Sequence, residues 1–234
     1  MRRKDLSLPL PSRDRLVILD RDATIISSRE IAYGCFEEAF DKVISQVYPP
    51  AAKLSKEKYT REYHPFHRTG VYEVYYPGLN EGQLIQVGEV SWQYYLNNNQ
   101  HDRFNLLIPG MDDFIRKLKA AGSLIIILTV SEGDGKWLTN YRIPVDGYFS
   151  MTRLQKDGVI EGKKPEAIRY ILDQYGRSFP DVITIGDNPK DHIDEVISIG
   201  AAFGLGCPAA RQELKESIDL YADRVETLYD FFAW

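Results

Sequence analysis

"RLVILDRDATII", running from Arg15 to Ile26, decides the fold. Its apolar run, Leu16 to Leu19, stops at two aspartates, Asp20 and Asp22, with Arg21 between them. A short run of Leu, Val and Ile predicts a buried strand. Two neighbouring carboxylates repel each other at such a strand end. Capping of a helix that starts near Thr24 accounts for one of them and leaves the other.

Other apolar runs end the same way. "SLIIIL" (Ser123 to Leu128) stops at Thr129-Val130-Ser131, and "DVITI" (Asp181 to Ile185) stops at Gly186-Asp187-Asn188, with Asp191 just beyond. "AAFGLG" (Ala201 to Gly206) is a weaker strand candidate. None alternates polar with apolar, which predicts strands covered on both faces. Between them, "PGMDDFIRKLKAAG" carries Phe114, Ile115 and Leu118 at helical spacing, with Pro109-Gly110 leading in and Gly122 as the stop. "KPEAIRYILDQYG" places Pro165 at the first helical position, Ala167, Ile168, Ile171 and Leu172 on one face, and Gly176 at the end. Alternating strands and helices predict an α/β fold, a doubly wound, Rossmann-like parallel sheet. Ligands bind such sheets beyond the carboxyl ends of the strands, so the polar clusters converge where a site is expected.

Residues 29–104 break this rhythm. "REIAYGCFEEAFDKVISQV" predicts an amphipathic helix with Ile31, Phe36, Phe40, Val43, Ile44 and Val47 on one side, weakened by about 1 kcal/mol at Gly34. After Pro49-Pro50 the chain is rich in tyrosine and reads as irregular, then helical again around "EVSWQYYL". The segment holds nine of the fifteen tyrosines, which read as its core, with Tyr75 and Tyr76 also candidates for contacting a ligand. The expected organisation is a core from residues 1–28 and 105–234, with 29–104 inserted as a smaller, mainly helical domain.

Composition narrows the function. The chain of 234 residues is 44% hydrophobic, enough for a full core. A net charge of -5 without a long basic run argues against nucleic acid as the main partner. The longest apolar run, Leu124 to Val130, is too short to span a membrane, and the basic opening lacks the apolar region of a signal peptide. Two cysteines, Cys35 and Cys207, build neither a disulfide framework nor a zinc-thiolate site, which fits the cytoplasm. Oligomeric state is left open.

Three converging carboxylates, Asp20, Asp22 and Asp187, call for a divalent cation, and Mg2+ suits oxygen donors that leave room for water and phosphate oxygens. Thr129 offers a hydroxyl, and the backbone beside it at Val130 offers an N–H for an anion. Lys164 adds positive charge at a helix N-terminus. Together these suit a phosphoryl group.

At this point the four clusters resemble, in order, the four motifs of the haloacid dehalogenase superfamily. "VILDRDAT" resembles the first, "IIILTVS" the second, "KKPEAI" the third and "IGDNPKD" the fourth. The resemblance implies Asp20 as nucleophile and Asp22 as acid and then base. It implies magnesium held by Asp20, Asp187 and the Asp22 carbonyl, with Thr129, Val130 and Lys164 on the phosphoryl oxygens. Asp191 and Asn188 would support the site. The insertion would be a helical cap, with Arg68 and Arg21 as candidate specificity residues. Two departures stand out. Ala23 occupies a position where the family usually has glycine, and Arg21 one where it is usually apolar. The implied activity is hydrolysis of a small soluble phosphate ester through an aspartyl-phosphate. A phosphomutase or phosphotransferase uses the same pair, and a retired binding or regulatory module is the non-enzymatic alternative. In "EYHPFHRTG", His64 and His67 read as solvated loop residues.

Overall fold

The computed structural model describes residues 6–48, 51–62, 70–99, 101, 104–131, 135–189 and 193–234. The chain falls into two compact units. One comprises the chain up to Ser27, Leu106–Gly204 and Gln212–Trp234; the other comprises Ser28–Asn105 and Leu205–Arg211.

The first unit is built on six parallel strands: β1 (Leu16–Leu19), β2 (Leu124–Thr129), β3 (Gly147–Ser150), β4 (Val182–Gly186), β5 (Ile197–Ala201) and β6 (Leu220–Ala222). Their order across the sheet is β3-β2-β1-β4-β5-β6. The order reverses at β1, so β1 marks the topological switch point. Side chains of β1 alternate between two apolar layers. Leu16 and Ile18 pack with Ala167, Ile168 and Ile171 of a helix at Lys164–Tyr175. Val17 and Leu19 pack on the other face with Phe114, Ile115 and Leu118 of a helix at Met111–Ala120. Helices on both faces make the sheet doubly wound, as the uninterrupted apolar runs predict.

The helix boundaries follow local chemistry. Gly110 adopts φ 87° just before Met111, and Gly176 takes the left-handed conformation after Tyr175. Pro165 is the second helical residue rather than the first, where its missing N–H still costs nothing. "AAFGLG" is not a strand beyond Ala201; the strand lies upstream, at Ile197–Ala201. Its true run includes Ser198, whose hydroxyl is satisfied internally by Thr184, and that polar residue masks the strand in the sequence.

The second unit is helical. Its longest helices, Arg29–Ala39 and Glu81–Asn98, pack on each other, and the ring of Tyr94 lies where a side chain at Gly34 would stand. Glycine therefore serves a close approach that offsets its helix penalty. Asn80 and Gln83 exchange reciprocal side-chain bonds to backbone N–H groups and start the second helix. The chain between them is less irregular than the sequence suggests, since Lys56–Glu62 and Gly70–Tyr75 are short helices. Val47 is 41% exposed and off the apolar stripe. Phe40–Ile44 forms a π-helical turn, whose wider winding rotates later residues away from the 3.6-residue register.

Candidate active site

Alternation along β1 continues past its end and sorts the residues that follow. Asp20 falls on the side of Leu16 and Ile18, the side covered by the helix that begins at Lys164. The Lys164 Nζ lies 3.5 Å from Asp20 Oδ1, both side chains mostly shielded from water. Lys163, by contrast, is exposed. The Asp20 N–H donates to the Ile185 carbonyl at 2.8 Å, which ties the aspartate to β4. Asp187 follows β4 directly and is half-buried, so two carboxylates end two neighbouring strands.

Arg21 falls on the opposite side, with Val17 and Leu19, and its guanidinium sits 5.8 Å over the Trp137 ring. Only 1% of it is exposed, and its Nη1 lies 3.4 Å from Asp22 Oδ1. This corrects the expectation that Arg21 offers itself to a substrate. The strand's alternation aims it inward, beside Asp22. No helix starts near Thr24, so neither aspartate is a helix cap there. Instead the N–H groups of Ile25 and Ile26 both donate to the Arg21 carbonyl, closing a tight turn.

That turn requires Ala23 at φ 57°, in the left-handed region. The cost for an L-residue is about 1–2 kcal/mol. The turn is also pressed from outside: a Cβ on Gly204 would fall 1.9 Å from the Ala23 carbonyl oxygen. Only glycine fits there. Sequence reasoning missed Gly204 as a residue of the site's framework, and its signal was the glycine-rich "AAFGLG".

At the end of β2, Thr129 is buried and its Oγ accepts the Ser131 N–H at 3.1 Å. With its oxygen so engaged, the hydroxyl proton is free to be donated elsewhere. Val130 is exposed at this edge, and Asn188 is exposed beyond β4. Asp191, Arg68, His64 and His67 lie outside the described residues. Tyr76, expected as a possible ligand contact, is core: it is 1% exposed and its hydroxyl donates to the Ala52 carbonyl at 2.9 Å. Tyr75 accepts a hydrogen bond from Lys58. Among the described residues no three His, Cys, Asp or Glu side chains gather as a metal cluster.

The comparisons agree with this fold. The model of the haloacid dehalogenase-like hydrolases matches residues 17–194. A predicted phosphatase from Clostridium acetobutylicum shares the fold at TM-score 0.63 and 20% identity, over 92% of this chain and 96% of that one. A haloacid dehalogenase-like family hydrolase from Streptococcus pneumoniae does so at 0.64 and 17%, over 94% and 99%. A predicted phosphoglycolate phosphatase from Haemophilus somnus gives 0.60 and 14%, over 91% and 94%. No curated protein matches the sequence. With the family model spanning most of the chain, from β1 past the end of β4, the protein belongs to the haloacid dehalogenase-like hydrolases.

Proposed function

We propose that this hydrolase is a magnesium-dependent phosphomonoesterase that acts on a small soluble phosphate ester. The observation that carries the reading is the 3.5 Å approach of Lys164 to Asp20 at the switch point of the sheet. A carboxylate beside a fixed ammonium, flanked by the Thr129 hydroxyl and a second carboxylate, suits a nucleophile working on an anionic phosphoryl group.

The donor set fits magnesium. Asp20 and Asp187 end adjacent strands and, with the Asp22 carbonyl, would hold the ion, a set of two side chains and one carbonyl rather than a three-carboxylate cluster. Magnesium is usually held by one or two carboxylates, with waters and phosphate oxygens completing six positions. When bound, it would offset negative charge on the phosphoryl oxygens.

The chain's own residues would then act in two steps. An Asp20 oxygen attacks phosphorus, the bond to the ester oxygen breaks, and Asp22 gives that oxygen a proton. Water next attacks phosphorus, Asp22 takes its proton, and the Asp20 oxygen leaves, releasing phosphate. Lys164, Thr129 and the Val130 N–H would hold the phosphoryl oxygens throughout. Arg21, buried against Asp22, would position that carboxyl, and Asn188 and Asp191 would support the site from the β4 end.

In this reading residues 1–28 and 105–234 form the catalytic core, and 29–104 a cap that selects the leaving group, with Arg68 a candidate contact. The Ser28–Asn105 span of the helical unit supports that division. Both cysteines are free, and no helix among the described residues is long and apolar enough to cross a membrane, which supports a cytoplasmic enzyme. The test is hydrolysis of p-nitrophenyl phosphate with magnesium, with calcium, and after chelation. Activity with magnesium only is expected, because calcium takes more ligands at longer distances. Full activity after exhaustive chelation would refute the metal requirement, and transfer of the phosphoryl group without free phosphate would point to a mutase instead.

A further inference from the structure

The helical unit contains a cavity of about 610 Å³, within the size range of small-molecule sites. Four cationic side chains line it, Arg29, Lys56, Arg61 and Arg211, against two carboxylates, Glu30 and Glu57. Positive charge is thus in excess here, in a chain whose net charge is -5. Lys56 and Glu30 satisfy each other at 2.5 Å, which leaves the arginines as the surplus.

Two of those arginines are placed in ways that packing alone does not require. Arg29 is the first residue of the helix Arg29–Ala39, where a positive charge opposes the helix dipole. Among the described residues it makes no ion pair or hydrogen bond that would offset this. Arg211 is held rigid: its Nε and Nη2 both donate to the Leu205 carbonyl, at 2.9 and 2.6 Å. A guanidinium fixed in this way loses little freedom when it meets an oxyanion. Arg61 adds a third guanidinium, shared with Glu62 at 2.7 Å.

We propose that this cavity binds a small organic anion with two or more oxyanion groups, carboxylate or phosphate. Planar guanidiniums recognise either group by paired, charge-assisted hydrogen bonds. The ligand has two conceivable sources, a second anionic group of the enzyme's own substrate or a separate anionic metabolite. The inference does not depend on the phosphatase reading.

Citrate, titrated calorimetrically into the full-length protein without added metal, is the probe. Binding is expected for the wild type and equally for Asp20→Asn, which keeps the cavity separate from the phosphoryl chemistry. Arg29→Gln and Arg211→Gln should each weaken it about tenfold or more, the loss expected for one charge-assisted hydrogen bond. Arg29→Lys should restore part of the affinity. Lys42→Gln, which removes one exposed positive charge that does not line the cavity and is paired with Glu38, should leave it unchanged. Arg29→Gln removes an unfavourable helix charge, so its thermal midpoint should not fall. For the source, citrate that competes with a doubly anionic ester, together with a raised KM in Arg29→Gln, identifies the substrate's own group. Citrate that changes the rate without competing identifies a separate ligand. No citrate binding by the wild type, or equal affinity in wild type, Arg29→Gln and Arg211→Gln, overturns the proposal.

Discussion

In the sheet unit, β1, β2 and β4 run through the core and end in polar residues: Asp20 just past β1, Thr129 at the end of β2 and Asp187 just past β4. In the helical unit, tyrosines are themselves the core. Tyr59, Tyr72 and Tyr76 are nearly or fully buried among Phe36, Phe40 and Val87, and Phe36 stacks on both Tyr59 and Tyr72. Two of the hydroxyls are absorbed locally; Tyr72 bonds Ser91 and Tyr76 the Ala52 carbonyl. A parallel sheet sends its polar strand ends to a single edge, because the register aligns them. A small helical bundle has no such edge, so a polar aromatic is more often structure than site. Substitutions at strand ends should therefore change rate and spare stability, whereas perturbing the tyrosines should do the reverse.

The largest effect expected is that of Asp20→Asn. The change is nearly isosteric, so the fold should persist, while loss of the nucleophile should lower kcat by several powers of ten. Lys164→Met should follow, with a fall of about a hundred- to a thousandfold, the range for losing one preorganised electrostatic contact. Its stability should hold or rise slightly, since a lysine at the first position of a helix opposes the dipole. A rate loss matched by a fall in thermal midpoint would make Lys164 structural and weaken the contrast.

The helical unit has its own signature at high pH. Burial pushes the phenols of Tyr59 and Tyr72 well above their ordinary value of 10.0. The folded unit thus keeps its protons while the unfolded chain releases them, and each phenol's contribution, complete below pH 10, declines as pH rises beyond it. The loss is about 1.4 kcal/mol per phenol per pH unit. Alkaline titration by circular dichroism, with limited proteolysis, should show cleavage within residues 28–105 before residues 106–204. Simultaneous loss of both units would contradict that order.

The smallest effect is expected at Ala23→Gly. Relief of the positive φ outweighs the added freedom of the unfolded chain only slightly, for a gain of about 0.5 kcal/mol. Chemical denaturation measures it, and a loss of stability would mean that the buried methyl group matters more than the backbone strain.

The sheet was legible because its apolar runs are long relative to their neighbours and their ends are abrupt. Asp20, Thr129 and Asp187 drew notice as candidates for the same reason, each standing where an apolar run meets a polar cluster, and Lys164 because it precedes Pro165 at the start of a helix. What escaped was set by tertiary packing. The strand at Ile197–Ala201 hides behind Ser198, whose partner Thr184 is fourteen residues away. The fit of Gly204 against Ala23 depends on two distant loops meeting. Arg21 reads as a candidate specificity residue until strand alternation is followed past Asp20 to Trp137. The cavity arginines, Arg29, Arg61 and Arg211, are scattered along the chain and share no motif.

The central claim is that the phosphoryl group passes through Asp20. The direct measurement is a rapid-quench reaction with p-nitrophenyl phosphate and magnesium, followed by borohydride reduction and peptide mass spectrometry. An acyl phosphate is reduced at its carbonyl carbon, which converts the aspartate that carried it to homoserine. The account predicts homoserine at position 20 in the wild type, absent without substrate, and aspartate unchanged at position 22. Active turnover with aspartate intact at position 20, or with homoserine at another position, would contradict it.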